Sequence, residues 1–449
     1  MRKFLLVFFL LNLLLSTFYL DTWVSHNNTS RVLPVFSLYE NGTWSFDPYH
    51  EQTIDKALVH GHYYSEKPPL PSFMVVPFYG LTRALGFGID DAGNHYDKPV
   101  YLIGGFLAGS LPFSLFLTLL LATILRSRPK MNPVLLVMLP IYGSFFFIFS
   151  GTFFSHIISG ALLLFGYWLL RYKEKYLWAG LCCGAAFLCE YSLAVIFPVW
   201  LVLLWLNKRN FSSVVIFGLG MAPAVLFLLF YNYLIGGDPF KMLYSYIATD
   251  DFAPLRSNLG FRLPDPLAML GLLFSNYRGL FYYFPALLLL AFAVIRKRKF
   301  NLRSLLLNYW VLGFLASLLL ISSFFTPYGG WTYGPRYLLP VTFLVAFEGI
   351  RFLSRNPVPS WTLWLIGGIG MVMAWMAKVS VMYALPSEEM NPVFGYVVKK
   401  LKAGAFNESN LLSLFVGVDP KVSAMIWPLL FLAALWWLSK KGKALVLAN

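Results

Sequence analysis

Apolar runs of membrane length recur along this chain, and that recurrence constrains its fold more than any motif does. A single helical crossing needs about 17–25 apolar residues. Such runs lie near 4–20, 99–125, 133–149, 155–170, 176–189, 192–206, 212–236, 279–295, 304–324, 337–352, 361–383 and 426–439. The pattern predicts an all-α integral membrane protein: a bundle of about 12 transmembrane helices forming one polytopic domain over residues 1–449. Hydrophobic residues make up 58% of the chain and charged ones 12%, too much apolar surface for a water-soluble protein to bury. The run 4–20 resembles a signal peptide, but no small-residue cleavage site follows, so it reads as a retained first helix.

Charge gives the runs a direction. The net charge of +15 is concentrated in short clusters between runs: Arg2-Lys3, Arg126/Arg128/Lys130, Arg171/Lys173/Lys175, Lys208-Arg209, Arg296 to Lys299, Arg351/Arg355 and Lys440-Lys441/Lys443. Twelve crossings with both termini cytoplasmic put every one of these clusters inside, as the positive-inside rule requires. The same threading puts nearly all Asp and Glu outside, with Glu174 and Glu348 as exceptions, and all six His outside as well. The basic balance therefore reports topology, and no nucleic-acid partner is expected. Cys182, Cys183 and Cys189 lie together in an apolar stretch and read as small packing residues.

The outer loops are 21–98, 237–278 and 384–425, with 325–336 short but dense, and loops as long as the first three in a compact fold are usually functional. In the first, "LPVFSLYENG" (33–42) predicts a short helix ended by Gly42. Pro68-Pro69 suits the first turn of a second helix. The segment that follows, broken by Pro71, Pro77 and Gly80, reads as an interfacial helix lying on the outer leaflet, as does 266–276. The stretch 176–206 reads as a hairpin of two short helices with "CEYS" (189–192) at its outer tip. That placement puts a carboxylate, Glu190, at the membrane face.

Polar chemistry gathers on this outer side. "HGHYYSEKPPLPSF" (60–73) supplies His60, His62, Tyr63, Tyr64, Glu66 and Lys67, with Asp47 and Asp55 just before it. Glu190-Tyr191 form a second group; Trp331, Tyr333 and Arg336 of "FTPYGGWTYGPR", with Arg278 of "NYRGLFYYFP", form a third. Cations beside carboxylates and tyrosines suit a substrate with an anionic lipid headgroup and a stackable polar body, such as a sugar on a polyprenyl phosphate. Transfer of that sugar builds negative charge on the departing phosphate, which Lys or Arg must meet. It also needs one carboxylate to take the acceptor's proton. No nucleotide-binding fingerprint is present. His60 and His62 with nearby carboxylates offer a divalent metal only two ligands at i, i+2, a pattern that loop histidines bonded to substrate or backbone explain better, so a divalent metal is the weaker alternative and no cofactor is expected.

"TIDKALVHGHYYSEKPP", "CEYS", "RGLFYYFP" and "GGWTYGPRYLLP", in that order, resemble segments of the GT-C glycosyltransferases. The nearest branch is the protein O-mannosyltransferase and lipid A aminoarabinose transferase-like one, in a bacterial subgroup. The resemblance implies a GT-C bundle with a long first extracytoplasmic loop carrying interfacial helices. It also implies a polyprenyl-phosphate sugar donor, membrane lipids as surroundings, and the bacterial inner membrane as location. It places Lys67 on the donor phosphate; Arg336, by position and chemistry rather than by a motif match, is expected as a second phosphate contact, and Arg278 as a further one. The family's acidic pair belongs just after the first helix, where this chain has "SHNNTSR", so Asn27 and Asn28 stand in its place. Asp55 then becomes the candidate base and Asp47 the next, although both residues also suit turn capping. The remaining candidates, His60, His62, Tyr63, Tyr64, Glu66, Glu190, Tyr191, Trp331 and Tyr333, would contact substrate. The rival readings are a transporter or flippase of lipid-linked glycans, against which the absence of a visible internal repeat speaks, and an inactive scaffold of the same fold.

Overall fold

A computed structural model describes residues 1–22, 25–89, 96–127, 129–297 and 307–447. His95, Arg128, Arg298, Lys299 and the first residues (304–306) of one expected span lie outside these ranges. The described chain is helical apart from one small hairpin. Its principal helices are α1 (Arg2–Thr17), α2 (His26–Glu40), α3 (Leu70–Ala84), α4 (Lys98–Arg126), α5 (Pro133–Tyr142), α6 (Ser155–Trp168), α7 (Tyr176–Cys189) and α8 (Tyr191–Lys208). They continue with α9 (Phe211–Gly236), α10 (Pro266–Phe274), α11 (Ala286–Lys297), α12 (Tyr309–Ser322), α13 (Arg336–Arg355), α14 (Ser360–Ser380) and α15 (Pro420–Leu447).

Six of them, α4, α8, α9, α13, α14 and α15, are long and apolar enough to cross a membrane, and they make this an integral multi-pass membrane protein. Twelve such helices were expected; the other runs form shorter helices among the described residues, and for two of them the chain's own punctuation gives the reason. The run 133–149 is divided at Gly143 into α5 and a single turn, Phe145–Phe149. The run 279–295 is divided at Pro285, which leaves only Leu280–Tyr283 before α11. Proline cannot supply the amide that a continuing helix needs.

The helices pack α1 on α4 and α15, α5 on α14 and α15, and α6 on both α7 and α13. The α7–α9 crossing is the closest. A Cβ on Gly180 would lie 2.1 Å from the Phe217 carbonyl, and one on Gly220 2.2 Å from that of Leu177. Small residues let two membrane helices touch backbone to backbone and gain dispersion contacts that lipid cannot supply. The core is mostly aromatic and aliphatic, centred on Phe145 to Phe149, Phe343 and Trp427, all at or near zero exposure.

The first outer loop departs from the sequence reading in three places. Its first helix begins at His26, not near Leu33, and stops before Asn41. Pro69 precedes α3 as its N-cap, so the proline pair lies just outside the helix it introduces. A two-stranded antiparallel ribbon, β1 (Ala57–Val59) and β2 (His62–Tyr64), interrupts the all-α plan. Its two-residue turn is His60-Gly61, with φ of 51° and 87°, the left-handed pair that such a tight hairpin requires.

Candidate functional site

The site is floored by the start of α2. Ser25 caps the helix by accepting from the Asn28 amide at 3.3 Å. Four polar residues then follow in a row, all buried, and each ties a different segment. Asn28 donates to Asp21, and also to the Tyr383 hydroxyl at 3.2 Å. Thr29 pairs with Tyr101 at 2.7 Å. Ser30 pairs with Ser65 at 2.9 Å and donates to Glu66 at 3.2 Å. Arg31 donates to the Asn27 carbonyl at 2.8 Å and to Ser155 at 3.1 Å. Buried polar groups must be bonded, and here the bonding fixes α2 under the loop that carries Lys67.

Lys67 leaves the turn after β2 and lies between two carboxylates, 2.8 Å from Asp55 and 2.6 Å from Glu66. Asp55 is held from behind: its amide donates to Thr53, whose hydroxyl donates to the His26 carbonyl at the start of α2. Burial would raise the Asp55 pKa, but the adjacent ammonium outweighs it and holds Asp55 below the ordinary carboxylate range. Glu66, 1% exposed, is pushed above that range by burial and then by Asp55, against the pull of Lys67. For Lys67, burial acts to lower the pKa, yet Asp55 and Glu66 overcome it, so the ammonium stays charged.

Glu190 reaches the same cavity from the tip between α7 and α8, where the chain turns extended after Cys189. Its Oε2 accepts from the Ser155 hydroxyl at 3.0 Å. His156 Nδ1 approaches that oxygen to 2.9 Å, although its alignment falls short of a hydrogen bond. Burial pushes Glu190 upward, but His156, Arg31 and Ser155 together keep it below the usual range.

Arg336 closes the group at the head of α13. Gly329, at φ 79°, lets the preceding loop pass so close that a Cβ there would lie 2.8 Å from the Arg336 Nε. The guanidinium lies over the rings of Phe154 (5.5 Å) and Tyr337 (5.2 Å). Its Nε is buried without an acceptor, and among the described residues its side chain makes no hydrogen bond or ion pair.

Asp55, Glu66, Lys67, Glu190, Tyr191 and Arg336 line one cavity of about 630 Å³, together with Asn27 and Tyr244. The remaining walls are mainly apolar, among them Phe187, Met242, Phe252, Phe261, Leu320 and Phe324. With Arg31 behind the floor, three acidic and three basic side chains balance in this buried space. Such a chamber can hold an apolar body with an anionic group at one end, and offers carboxylates for proton transfer.

The other candidates lie outside this cavity. Asp47 is committed to the hairpin: its carboxylate accepts from the Tyr63 amide at 2.6 Å and lies 2.7 Å from His62 Nδ1. Tyr63 stacks on His50 at 4.2 Å, Tyr64 packs with Ala57 and Leu243, and His60 occupies the turn. Arg278, expected on the donor phosphate, is fully buried and directs its guanidinium to the backbone carbonyls of Tyr277, Leu385 and Pro386 at 2.8–3.1 Å. It braces the loop 384–425. Tyr333 is buried edge-on against Tyr283, and Trp331 is half exposed. No three His, Cys, Asp or Glu side chains converge to hold a metal among the described residues.

Four residues at the site escaped the sequence reading: Arg31, Ser155, His156 and Tyr244. Arg31 had a signal, because a cation in an outer loop runs against the positive-inside trend and needs a local reason. The other three had none. No protein family, no curated protein and no solved structure matches this chain.

Proposed function

We propose that the protein is a membrane glycosyltransferase of GT-C type. It moves a monosaccharide from a polyprenyl-phosphate donor to a lipid, glycan or protein acceptor on the extracytoplasmic side. In this reading the shorter helices complete a twelve-crossing topology with both termini cytoplasmic, in a bacterial inner membrane. The observation that carries the proposal is Arg336, a guanidinium with a buried, unpartnered Nε, set in the same cavity as Lys67 and three carboxylates. An orphaned buried donor is costly unless a ligand completes it, and planar guanidinium suits a phosphoryl oxygen pair. The apolar walls suit the first isoprene units of a donor lipid.

Reaction proceeds by single displacement with inversion. The acceptor oxygen attacks the anomeric carbon, the bond to the phosphate oxygen breaks, and the electron pair leaves with the phosphate. Arg336 and Lys67 meet the growing charge, and a cavity carboxylate takes the proton. Membranes from cells producing the protein should transfer label from polyprenyl-phosphate sugars to an endogenous acceptor. Lys67→Ala and Arg336→Ala should each lower transfer by about 100-fold or more. Binding of polyprenyl monophosphate without transfer from any donor would identify an inactive scaffold, which Asn27 and Asn28 in place of an acidic pair would explain. Movement of an intact lipid-linked sugar across the bilayer would identify a flippase.

A further inference from the structure

The cavity holds three carboxylates, and their surroundings separate them. Glu66 is closed off: Oε1 faces Lys67, Oε2 accepts from Ser30, and the side chain is 1% exposed. Asp55 has one oxygen on Lys67. In an inverting displacement the nucleophile and the leaving group occupy opposite sides of the reacting carbon, as the separated carboxylates of inverting glycosidases illustrate. A carboxylate ion-paired with the lysine that receives the leaving phosphate is therefore on the wrong side to serve the nucleophile. Glu190 enters from another wall, the tip between α7 and α8, and pairs with neither Lys67 nor Arg336. Only its Oε2 is engaged, by Ser155 and His156, and the side chain keeps 13% exposure. That leaves Oε1 uncommitted as an acceptor, on an oriented carboxylate that lines the cavity.

We infer that Glu190 is the general base of the transfer, with Ser155 and His156 as its positioning residues and Asp55 as a partner of the phosphate-binding lysine. The assignment rests on the glycosyltransferase reading. The acceptor O–H proton passes to Glu190 Oε1 as the new bond to the anomeric carbon forms, and the phosphate departs with the electrons of the broken bond. The groups around Glu190 are His156 and Ser155 on α6, Arg31 on α2, Tyr244 of the second outer loop and Cys189 on its own segment. None of them offers a second free carboxylate.

The test uses full-length protein in membranes and an exogenous nucleophile that needs no base. Glu190→Ala should lower kcat for transfer by about 10²–10⁴-fold while leaving KM for the donor and binding of polyprenyl monophosphate unchanged. Azide should then restore donor consumption in Glu190→Ala by about tenfold or more, giving a glycosyl azide of inverted configuration, since azide attacks without losing a proton. Asp55→Ala should instead raise KM and gain nothing from azide. Where Glu190→Ala fails to bind polyprenyl monophosphate, Glu190→Gln supplies the same comparison with the Ser155 contact retained. A Glu190 variant that binds donor and transfers at the wild-type rate overturns the assignment, as does azide rescue of Asp55→Ala in place of Glu190→Ala. Wild-type protein that transfers nothing removes the transferase reading itself, and the base with it.

Discussion

Lys67 serves two carboxylates at once, and the arrangement has a pH signature. Asp55 has a folded-state pKa held below its ordinary value, so its stabilising effect is present above the ordinary carboxylate range and disappears as pH falls through the lowered value. Lys67 has a raised pKa, so its effect is present below the ordinary lysine range and is lost as pH climbs through the raised value. Between about pH 5 and 9 both effects are in force. The stability advantage of wild type over Asp55→Asn, measured by thermal unfolding in detergent, should therefore shrink as pH falls below about 4. Arg278 makes a separate prediction. Removing its guanidinium strands the Leu385 and Pro386 carbonyls. Arg278→Ala should lose about 2–4 kcal/mol of stability and leave affinity for polyprenyl monophosphate near the wild-type value, a pairing that separates a brace from a ligand contact.

At the scale of elements, six of the twelve expected crossings and the helix after Pro68-Pro69 were legible, and the rest of the first loop was not. Long runs such as 212–236 announce α9 because a membrane helix must be apolar throughout. In α2 the usual signal is inverted: its buried first turns are Asn28, Thr29, Ser30 and Arg31, so a search for apolar periodicity starts the helix several residues late. The β1–β2 hairpin escaped because its turn is His-Gly and not the more common Asn-Gly. His60→Asn should be tolerated there, whereas His60→Val should cost about 1–2 kcal/mol, because a branched side chain resists the left-handed region. At the α7–α9 crossing, Gly220→Leu must force the Leu177 and Gly180 backbones apart. A loss of about 1–3 kcal/mol or more is expected, seen as a lower unfolding midpoint.

Over the whole molecule, the sequence predicts a separation of charge between the two membrane faces, because of how charge partitions across a bilayer. Cysteines placed at Ser387 and at Lys440 check that reading. Labelling by an impermeant thiol reagent on intact cells is expected at Ser387→Cys and not at Lys440→Cys. Which polar residues share one chamber was less legible. Lys67, Arg336 and Glu190 announced themselves as charges beside the membrane, whereas Arg31 and His156 matter through what the folded chain brings beside them, and spacing along the sequence carries no record of that. Asp47 is the instructive contrast with Asp55: both are aspartates preceding the same hairpin, yet one is consumed in bracing it and the other faces Lys67.

The anchoring of α2 bears on how a substrate arrives. Asp21, Tyr101, Ser65 and Ser155 hold four consecutive side chains of that helix, so lifting it would break at least four bonds, each worth about 1 kcal/mol. Under the proposed function a long-tailed donor would therefore thread in past a stationary floor, and any hinged movement that admits it would belong to the other segments lining the cavity.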